Sequence, residues 1–183
     1  MKIIILLFSI LLSGCSPTAL EQYANTTPEL KLEQFFDGKL KAHGMVLDRS
    51  GNVTRRFKVD LVGKWNGNKG ELHEWFEFDD GEKSTRTWYL EKRSDNQYQG
   101  HASDVIGTAK GTTNGSALYW KYDMDIESKG TTYQLTLDDW MYLMDEKRLF
   151  NKTEMTKFGI RVGSLIKLEQ FFDGKLKAHG MVL

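Results

Sequence analysis

Apolar and polar residues alternate along most of the chain between Lys39 and Leu168, and turn-forming residues interrupt the alternation every eight to twelve residues. Alternation with period two puts every second side chain on the same face of a β-strand. The pattern therefore predicts an antiparallel all-β meander. The predicted strands are 39–47, 53–64, 71–79, 84–92, 97–103, 105–112, 116–126, 131–138, 140–144, 147–152 and 158–168.

So many strands without a helix to cover them would leave unpaired sheet edges unless the sheet closes on itself. The first interpretation is a lipocalin-like, calycin-type up-and-down barrel of about eight to ten strands, and the alternative is a β-sandwich. Ahead of the first strand, the stretch from Thr26 to Gly38 fits a short helix capped by Thr26. An extended conformation fits the same stretch nearly as well.

One predicted hairpin carries candidate ligand-binding residues. A two-residue loop at Asp80-Gly81 would place Trp75 opposite Arg86, and His73 opposite Trp88. A guanidinium over an indole forms a cation–π pair. The pair is either part of a ligand wall, with Arg86 receiving an acidic head group, or a structural pair on the barrel exterior.

Small residues follow one another at alternate positions around Asp104. Two strands that carry only small side chains on one face either leave an interior void for a ligand or let the sheet bend sharply. Tyr98 and Trp120 are candidate lining residues of such a void, and equally good residues of a plain core. The small residues are Gly100, Ala102, Gly107, Ala109 and Gly111. The predicted ligand-binding set is Trp75, Arg86, Trp88, Tyr98, Asp104 and Trp120.

The sequence offers no constellation typical of catalysis. None of its four His residues has metal-ligand spacing, and it contains no HExxH or CxxC motif. The pairs Asp79-Asp80 and Asp138-Asp139 are adjacent in sequence, so within a strand their carboxylates would point to opposite faces. We therefore predict a protein that is not an enzyme and has no metal or cofactor.

The first fourteen residues resemble a bacterial lipoprotein signal. Lys2 precedes an apolar run that is much shorter than the roughly 20 residues of a membrane span. Leu12-Ser13-Gly14-Cys15 forms a lipobox, which predicts cleavage before Cys15 and acylation of its thiol; a secretory peptide with an incidental Cys is the alternative. Residues 15–29 are then a lipidated tether, and residues 30–165 a single barrel domain.

The same features predict a location and a class of partners. Ser16, rather than Asp, follows Cys15, which in enteric-type sorting favours the periplasmic face of the outer membrane. The chain has 25 basic and 25 acidic residues, so it has no general attraction to nucleic acid. The predicted partners are the membrane, through the acyl chains, and a lipid or other hydrophobic small molecule; the sequence specifies no protein partner.

The sequence Lys31–Leu47 recurs without a change at Lys167–Leu183. Nothing between the copies repeats, so residues 166–183 are interpreted as a terminal anomaly rather than a repeat unit. The first and last strands of a closed barrel are neighbours, so both copies compete for one position. We expect Lys31–Leu47 to hold this position, because the Asp48–Gly51 turn locks it into a hairpin. Gly163 to about Phe171 should then form the last strand. The residues beyond Phe171 should be loosely held.

Several long segments together resemble a family of uncharacterised proteobacterial lipoproteins, domain of unknown function 3833. They are DRSGNVTRRFKVDLVGKWNG, FEFDDGEKSTRTWYL, YQGHASDVIGTAKG and DDWMYLMDEKRLFNKTEMTKFGIRVG. The resemblance implies a single-domain envelope lipoprotein and assigns no catalytic residue. In the family the GIRVG stretch runs into a native last strand, which the second copy replaces here.

Two functions remain open from sequence. The first is an outer-membrane-anchored periplasmic lipoprotein whose barrel binds a hydrophobic or amphipathic small molecule. The alternative is a non-enzymatic structural or assembly lipoprotein that contacts another envelope protein.

Overall fold

A computed structural model describes residues 19–128 and 130–172 of the chain. The predicted signal peptide, Cys15 and the start of the predicted tether lie outside the described residues. Within the described ranges the chain forms a 3₁₀ turn, one short helix and ten strands. They are the 3₁₀ turn Leu20–Tyr23, α1 Leu32–Phe35, β1 Gly38–Asp48, β2 Val53–Asn66, β3 Lys69–Phe78, β4 Lys83–Ser94, β5 Gln97–His101, β6 Val105–Asn114, β7 Ala117–Ser128, β8 Thr131–Asp145, β9 Arg148–Lys157 and β10 Ile160–Phe171.

The strands form one closed antiparallel sheet. Each strand pairs with its neighbours in sequence, and β1 closes the barrel by pairing with β10, with Leu40 opposite Phe171. Alternate side chains point inward and build a core around Leu40, Leu61 and Leu118, which are fully buried. Closure confirms the predicted lipocalin-like meander and excludes the sandwich, because each of the ten described strands pairs with a neighbouring strand on both sides.

The predicted strands 131–138 and 140–144 are a single strand, β8. The sequence indicates a strand end at Asp138-Asp139, since two acidic residues are unusual inside a sheet. Both carboxylates are satisfied there: Asp138 points outward to Lys121, at 3.0 Å, and Asp139 points inward to Asn151 and Thr153. The strand therefore continues through them, and the two side chains lie on opposite faces as predicted.

The predicted register of the β3–β4 hairpin is wrong by one residue. Glu74, not Trp75, lies opposite Arg86, and Leu72, not His73, lies opposite Trp88. The loop has three residues rather than two, because Phe78 and Glu82 close it and Gly81 adopts a φ of 87°. A one-residue shift sends every side chain of a strand to the other face.

The N-terminal segment packs against one end of the barrel. The Leu30 amide donates to the Gly115 carbonyl at 2.8 Å, and the Tyr23 ring lies 5.5 Å from the Tyr142 ring. The predicted helix is present but begins later, at Leu32. Thr26 is not its cap, because its hydroxyl accepts from the Ser116 amide at 2.9 Å. Residues 20–29, predicted as a tether, are thus docked on the domain.

The two copies of the repeated segment adopt different structures. Lys31 to Phe35 of the first copy leads into and forms α1, whereas Lys167 to Phe171 of the second forms the end of β10. This confirms that the first copy holds the β1 position and that the last strand runs to Phe171, past the predicted domain boundary at residue 165. The expectation for the residues beyond Phe172 lies outside the described residues.

Candidate functional site

An aromatic wall lines one side of the barrel interior. Trp88 of β4 and Trp120 of β7 are buried and meet edge to face, with ring centroids 6.0 Å apart and an interplanar angle of 77°. Tyr122 meets Trp88 in the same way at 5.4 Å. Two predicted ligand-binding residues, Trp88 and Trp120, are therefore brought together by strands that do not pair.

The predicted row of small residues makes room for this wall. A Cβ at Gly111 would lie 1.9 Å from Trp120 Cε3, and one at Gly100 would lie 3.1 Å from Trp120 Cζ2. Gly107 is separate: it is exposed, with a φ of 72°, where the β6–β7 register shifts. Of the two interpretations that the sequence left open, a ligand void and a sharp bend of the sheet, the void is largely filled by the Trp120 indole.

Arg86 and Asp104, both predicted, form an ion pair beside the wall. Arg86 Nε donates to Asp104 Oδ2 at 2.9 Å, and Nη2 lies 2.7 Å from the same oxygen. Arg86 Nη1 is 3.9 Å from Oε2 of Glu74, beyond hydrogen-bond distance. The guanidinium is therefore already engaged by a carboxylate of the protein and has a second one close by.

A second group of charges faces the interior from β8, β9 and β10. Lys167 pairs with Glu169, two residues further along the same strand, and both point inward. On the adjoining strands, Asp139 accepts hydrogen bonds from Asn151 and from Thr153, the latter at 2.8 Å. Lys167 and Glu169 belong to the second copy of the repeated segment, which therefore contributes an ion pair to the barrel interior.

Burial changes the protonation of several of these groups. It raises the pKa of Glu74 and of Asp139 above the ordinary carboxyl values, although Lys167 opposes both shifts. Burial alone would lower the pKa of the Lys167 ammonium, but Glu169 and Glu74 outweigh burial and raise it. Lys167 is therefore charged at neutral pH, whereas Glu74 and Asp139 bind protons more readily than exposed carboxylates do.

A cavity of about 70 Å³ lies between α1, the aromatic wall and these charges. Typical ligand pockets measure about 300–1,000 Å³, so this cavity has room for a head group rather than for a whole lipid. Two buried carboxylate oxygens among its lining residues, Glu74 Oε2 and Glu169 Oε2, have no hydrogen-bond partner. Leu32 and Phe36 of the α1 region close one side of the cavity.

Tyr98 is buried as predicted, but it holds α1 instead of lining the cavity. Its hydroxyl donates to Glu33 at 2.7 Å, and Lys92 Nζ lies 2.6 Å from the same carboxylate. Burial works to raise the pKa of Glu33, but the hydrogen bonds from Lys92 and Tyr98 outweigh it and lower the pKa. An ionised Glu33 therefore fastens the helix to β4 and β5.

Trp75 does not join the other predicted residues. The register shift puts it on the outer face, in an open groove of about 550 Å³ between exposed charged side chains. Another open groove, of about 590 Å³, contains Tyr89 stacked on His101 at 5.1 Å. Both grooves are larger than the interior cavity. The interior is nevertheless the stronger candidate, because only its lining combines an aromatic wall with unpaired buried carboxylate oxygens.

The sequence reasoning missed four charged residues of the interior: Glu74, Asp139, Lys167 and Glu169. For Glu74 the sequence contained a signal. Leu72, Phe76 and Phe78 lie an even number of residues from Glu74, so they share its face of β3 and indicate that this face is buried. For Lys167 and Glu169 no comparable signal exists. Their own sequence, repeated from residues 31–35, forms a helix elsewhere in the chain.

In the described part of the chain, no three His, Cys, Asp or Glu side chains come together in an arrangement suited to a metal ion. None of the helices within residues 19–128 and 130–172 is long and apolar enough to cross a membrane.

Comparison with solved structures identifies other barrels. An S-type phycobiliprotein lyase, CPES, from Guillardia theta is similar over 87% of this chain and 100% of its own, with a TM-score of 0.59 and 9% sequence identity. A redesigned β-barrel is similar over 80% of this chain and 100% of its own, with a TM-score of 0.43 and 7% identity. At such low identity the first likeness shows a shared lipocalin-like fold, and no activity is transferred from it.

At the level of sequence, a family model described as a protein of unknown function, DUF3833, matches residues 9–167. No curated protein matches the chain.

Proposed function

The chain belongs to the DUF3833 family of proteins of unknown function, and on that premise we propose that it is a lipid-anchored envelope protein whose barrel binds an amphipathic small molecule. The polar head of the ligand occupies the cavity beside Trp88 and Trp120. The apolar part extends past Leu32 and Phe36 toward the α1 end of the barrel, which requires these two side chains to move.

One observation carries this proposal. Glu74 Oε2 and Glu169 Oε2 are buried in the lining of the cavity without a hydrogen-bond partner. Leaving a buried polar group unpaired costs about 1–3 kcal/mol, so such groups are rare in cores that serve packing alone. Beside an aromatic wall and a cavity, they are typical of a site that a ligand completes.

The predicted lipid anchor supports the choice of an amphipathic ligand. Cys15 precedes Ala19, the first described residue, by four positions, a stretch that spans at most about 14 Å. Acylation of Cys15 would therefore hold the α1 end of the barrel next to the bilayer. A ligand that leaves the membrane would meet Leu32 and Phe36 first.

A second function is favoured by the size of the cavity. At about 70 Å³ it is small, and the Trp120 indole fills much of the space that the glycines leave. A barrel filled by its own side chains is typical of a structural or assembly protein that contacts another envelope protein through its outer face.

Native mass spectrometry of the full-length protein, extracted from bacterial membranes in mild detergent, separates the two functions. We expect a covalent mass increase from acylation at Cys15 and, in addition, one non-covalently bound small molecule per chain that is released on unfolding. The Cys15→Ser variant should lack the acyl mass. A chain that is acylated but carries no bound molecule would contradict ligand binding and favour the structural function.

A further inference from the structure

We propose that the ligand of the interior cavity has a positively charged head group that donates hydrogen bonds, of the primary ammonium type. This inference rests on the proposed small-molecule function and specifies the class of ligand. Three features of the cavity support it: the balance of charges, the unpaired buried atoms and the aromatic wall.

Acidic side chains outnumber basic side chains around the cavity. In the described part of the chain, two cations and three carboxylates line the cavity, and a fourth carboxylate, that of Asp104, pairs with Arg86 beside it. Arg86 is neutralised by Asp104 at 2.7 Å, and Lys167 by Glu169. Of the two remaining carboxylates, Glu74 shares Arg86 at 3.9 Å, and Asp139 forms no ion pair within the described residues. The four carboxylates are those of Glu74, Asp104, Asp139 and Glu169.

The unpaired atoms in the cavity lining are all acceptors. Glu74 is 4% exposed and Glu169 is 1% exposed, and in each the Oε2 atom lacks a hydrogen-bond partner. No unpaired buried donor occurs among the described residues that line this cavity. A ligand that donates hydrogen bonds therefore completes the site, and a charged donor also favours the ionised form of Glu74 over the protonated form that burial favours.

The aromatic wall favours the same kind of head group. The rings of Trp88, Trp120 and Tyr122 border the cavity, and the face of an aromatic ring attracts a cation, most strongly when both are shielded from water. A cavity of about 70 Å³ accommodates an ammonium group and the first carbons of its chain. A metal ion is a poorer candidate, since the carboxylates do not converge on one point in the described structure.

An acidic head group, which the sequence suggested as a partner of Arg86, is disfavoured. Arg86 already donates a hydrogen bond to Asp104 and forms an ion pair with it, so an acid would have to displace that carboxylate. It would also lie close to Glu74, which is 3.9 Å from Arg86. Like charges in a desolvated site repel each other strongly.

A titration with three matched probes tests the inference. Hexylamine, hexanoate and hexanol share the same tail and differ in the head group, and binding to the full-length protein is followed by the fluorescence of Trp88 and Trp120. We expect hexylamine to bind at least about tenfold more tightly than hexanol, the ratio expected for a hydrogen bond to a charged group. Hexanoate should bind more weakly than both.

Two variants assign the effect to the cavity. Glu74→Gln keeps the shape of the side chain and should reduce hexylamine affinity about tenfold. Unchanged hexanol affinity in the same variant shows that the barrel is intact. Glu169→Gln should act in the same direction. The control is Glu71→Gln, on the outer face of the same strand, which should leave all three affinities unchanged.

The outcomes separate this inference from the proposed function. If hexanoate or hexanol binds more tightly than hexylamine, or if Glu74→Gln has no effect on hexylamine, the ligand class is wrong while small-molecule binding stands. If none of the three probes changes the fluorescence, the interior site itself is refuted, and the inference with it.

Discussion

Leu32 and Leu168 occupy the same position in the two copies of the repeated segment, yet Leu32 is buried in α1 at 3% exposure and Leu168 points outward from β10 at 38%. The surrounding sequence is identical, so intrinsic propensity cannot account for the difference. What differs is the chain on either side. The first copy is followed by the Asp48–Gly51 turn, which joins its β1 strand to β2, and the second extends the strand that begins at Ile160.

This pair gives a matched test of the fold. Leu32→Ala should lower the free energy of unfolding by about 2–4 kcal/mol, because it opens a cavity between α1 and the barrel. Leu168→Ala should lower it by less than about 1 kcal/mol, since its side chain is partly solvated. Urea denaturation of both variants measures the difference. Equal losses would contradict the assignment of helix to the first copy and strand to the second.

The close contact between Gly111 and Trp120 predicts a packing effect. Gly111→Ala would put a methyl group 1.9 Å from the present position of Trp120 Cε3, so the indole must move. We expect a loss of about 1–3 kcal/mol in the free energy of unfolding. In the Trp120→Phe background, where the smaller ring leaves room, the same change should cost clearly less. Additive losses in this double-mutant cycle would show that the two residues do not contact each other.

The turn between β9 and β10 contains a strained aromatic residue. Phe158 has a φ of 50° and is 94% exposed, so its ring adds little packing while its backbone lies in the left-handed region. Phe158→Asn should raise the free energy of unfolding by about 1 kcal/mol, because Asn tolerates this conformation. Phe158→Ala is the control. It removes the ring, as Phe158→Asn does, but Ala lacks the preference of Asn for the left-handed conformation. Equal stability of the Asn and Ala variants would refute backbone strain as the cause.

The interior carboxylates predict a pH dependence with a definite sign. Burial raises the pKa of Asp139, so the folded state binds its proton more tightly than the unfolded state does. The contribution of Asp139 to stability is therefore greatest below its ordinary pKa and is lost as pH rises through the raised value. Asp139→Asn removes this loss and keeps an oxygen acceptor for Thr153.

The measurement is urea denaturation of wild type and Asp139→Asn between about pH 4 and pH 8. The free energy of unfolding of the variant, relative to wild type, should increase as pH rises. A difference that is independent of pH would show that Asp139 titrates alike in the folded and unfolded states.

Much of the architecture could be predicted from sequence because period-two alternation and turn residues are local signals. The register of the β3–β4 hairpin could not be taken from its turn, since Asp79-Asp80-Gly81 suits a two-residue or a three-residue loop. The apolar residues Leu72, Phe76 and Phe78 occupy alternate positions, which marks their face of β3 as the buried one and so selects the three-residue loop. Trp75, a large aromatic residue on the opposite face, made this pattern hard to recognise in the sequence.

The candidate site was only partly predictable. Trp120 could be named because it lies near the row of small residues, and Trp88 because it lies in the β3–β4 hairpin, although its predicted pairing with His73 is wrong. The charge cluster could not be, because it depends on contacts between residues far apart in sequence. Glu74 and Lys167 affect each other's protonation only because closure of the barrel brings them together.

The central claim is that a small molecule binds inside the barrel, between α1 and the aromatic wall, and nuclear Overhauser effects between bound hexylamine and the indole protons of the full-length protein test it most directly. We predict contacts from the hexylamine methylene groups to Trp88 and Trp120, which line the cavity. Contacts confined to Trp75, in the groove on the outer face, would contradict the account.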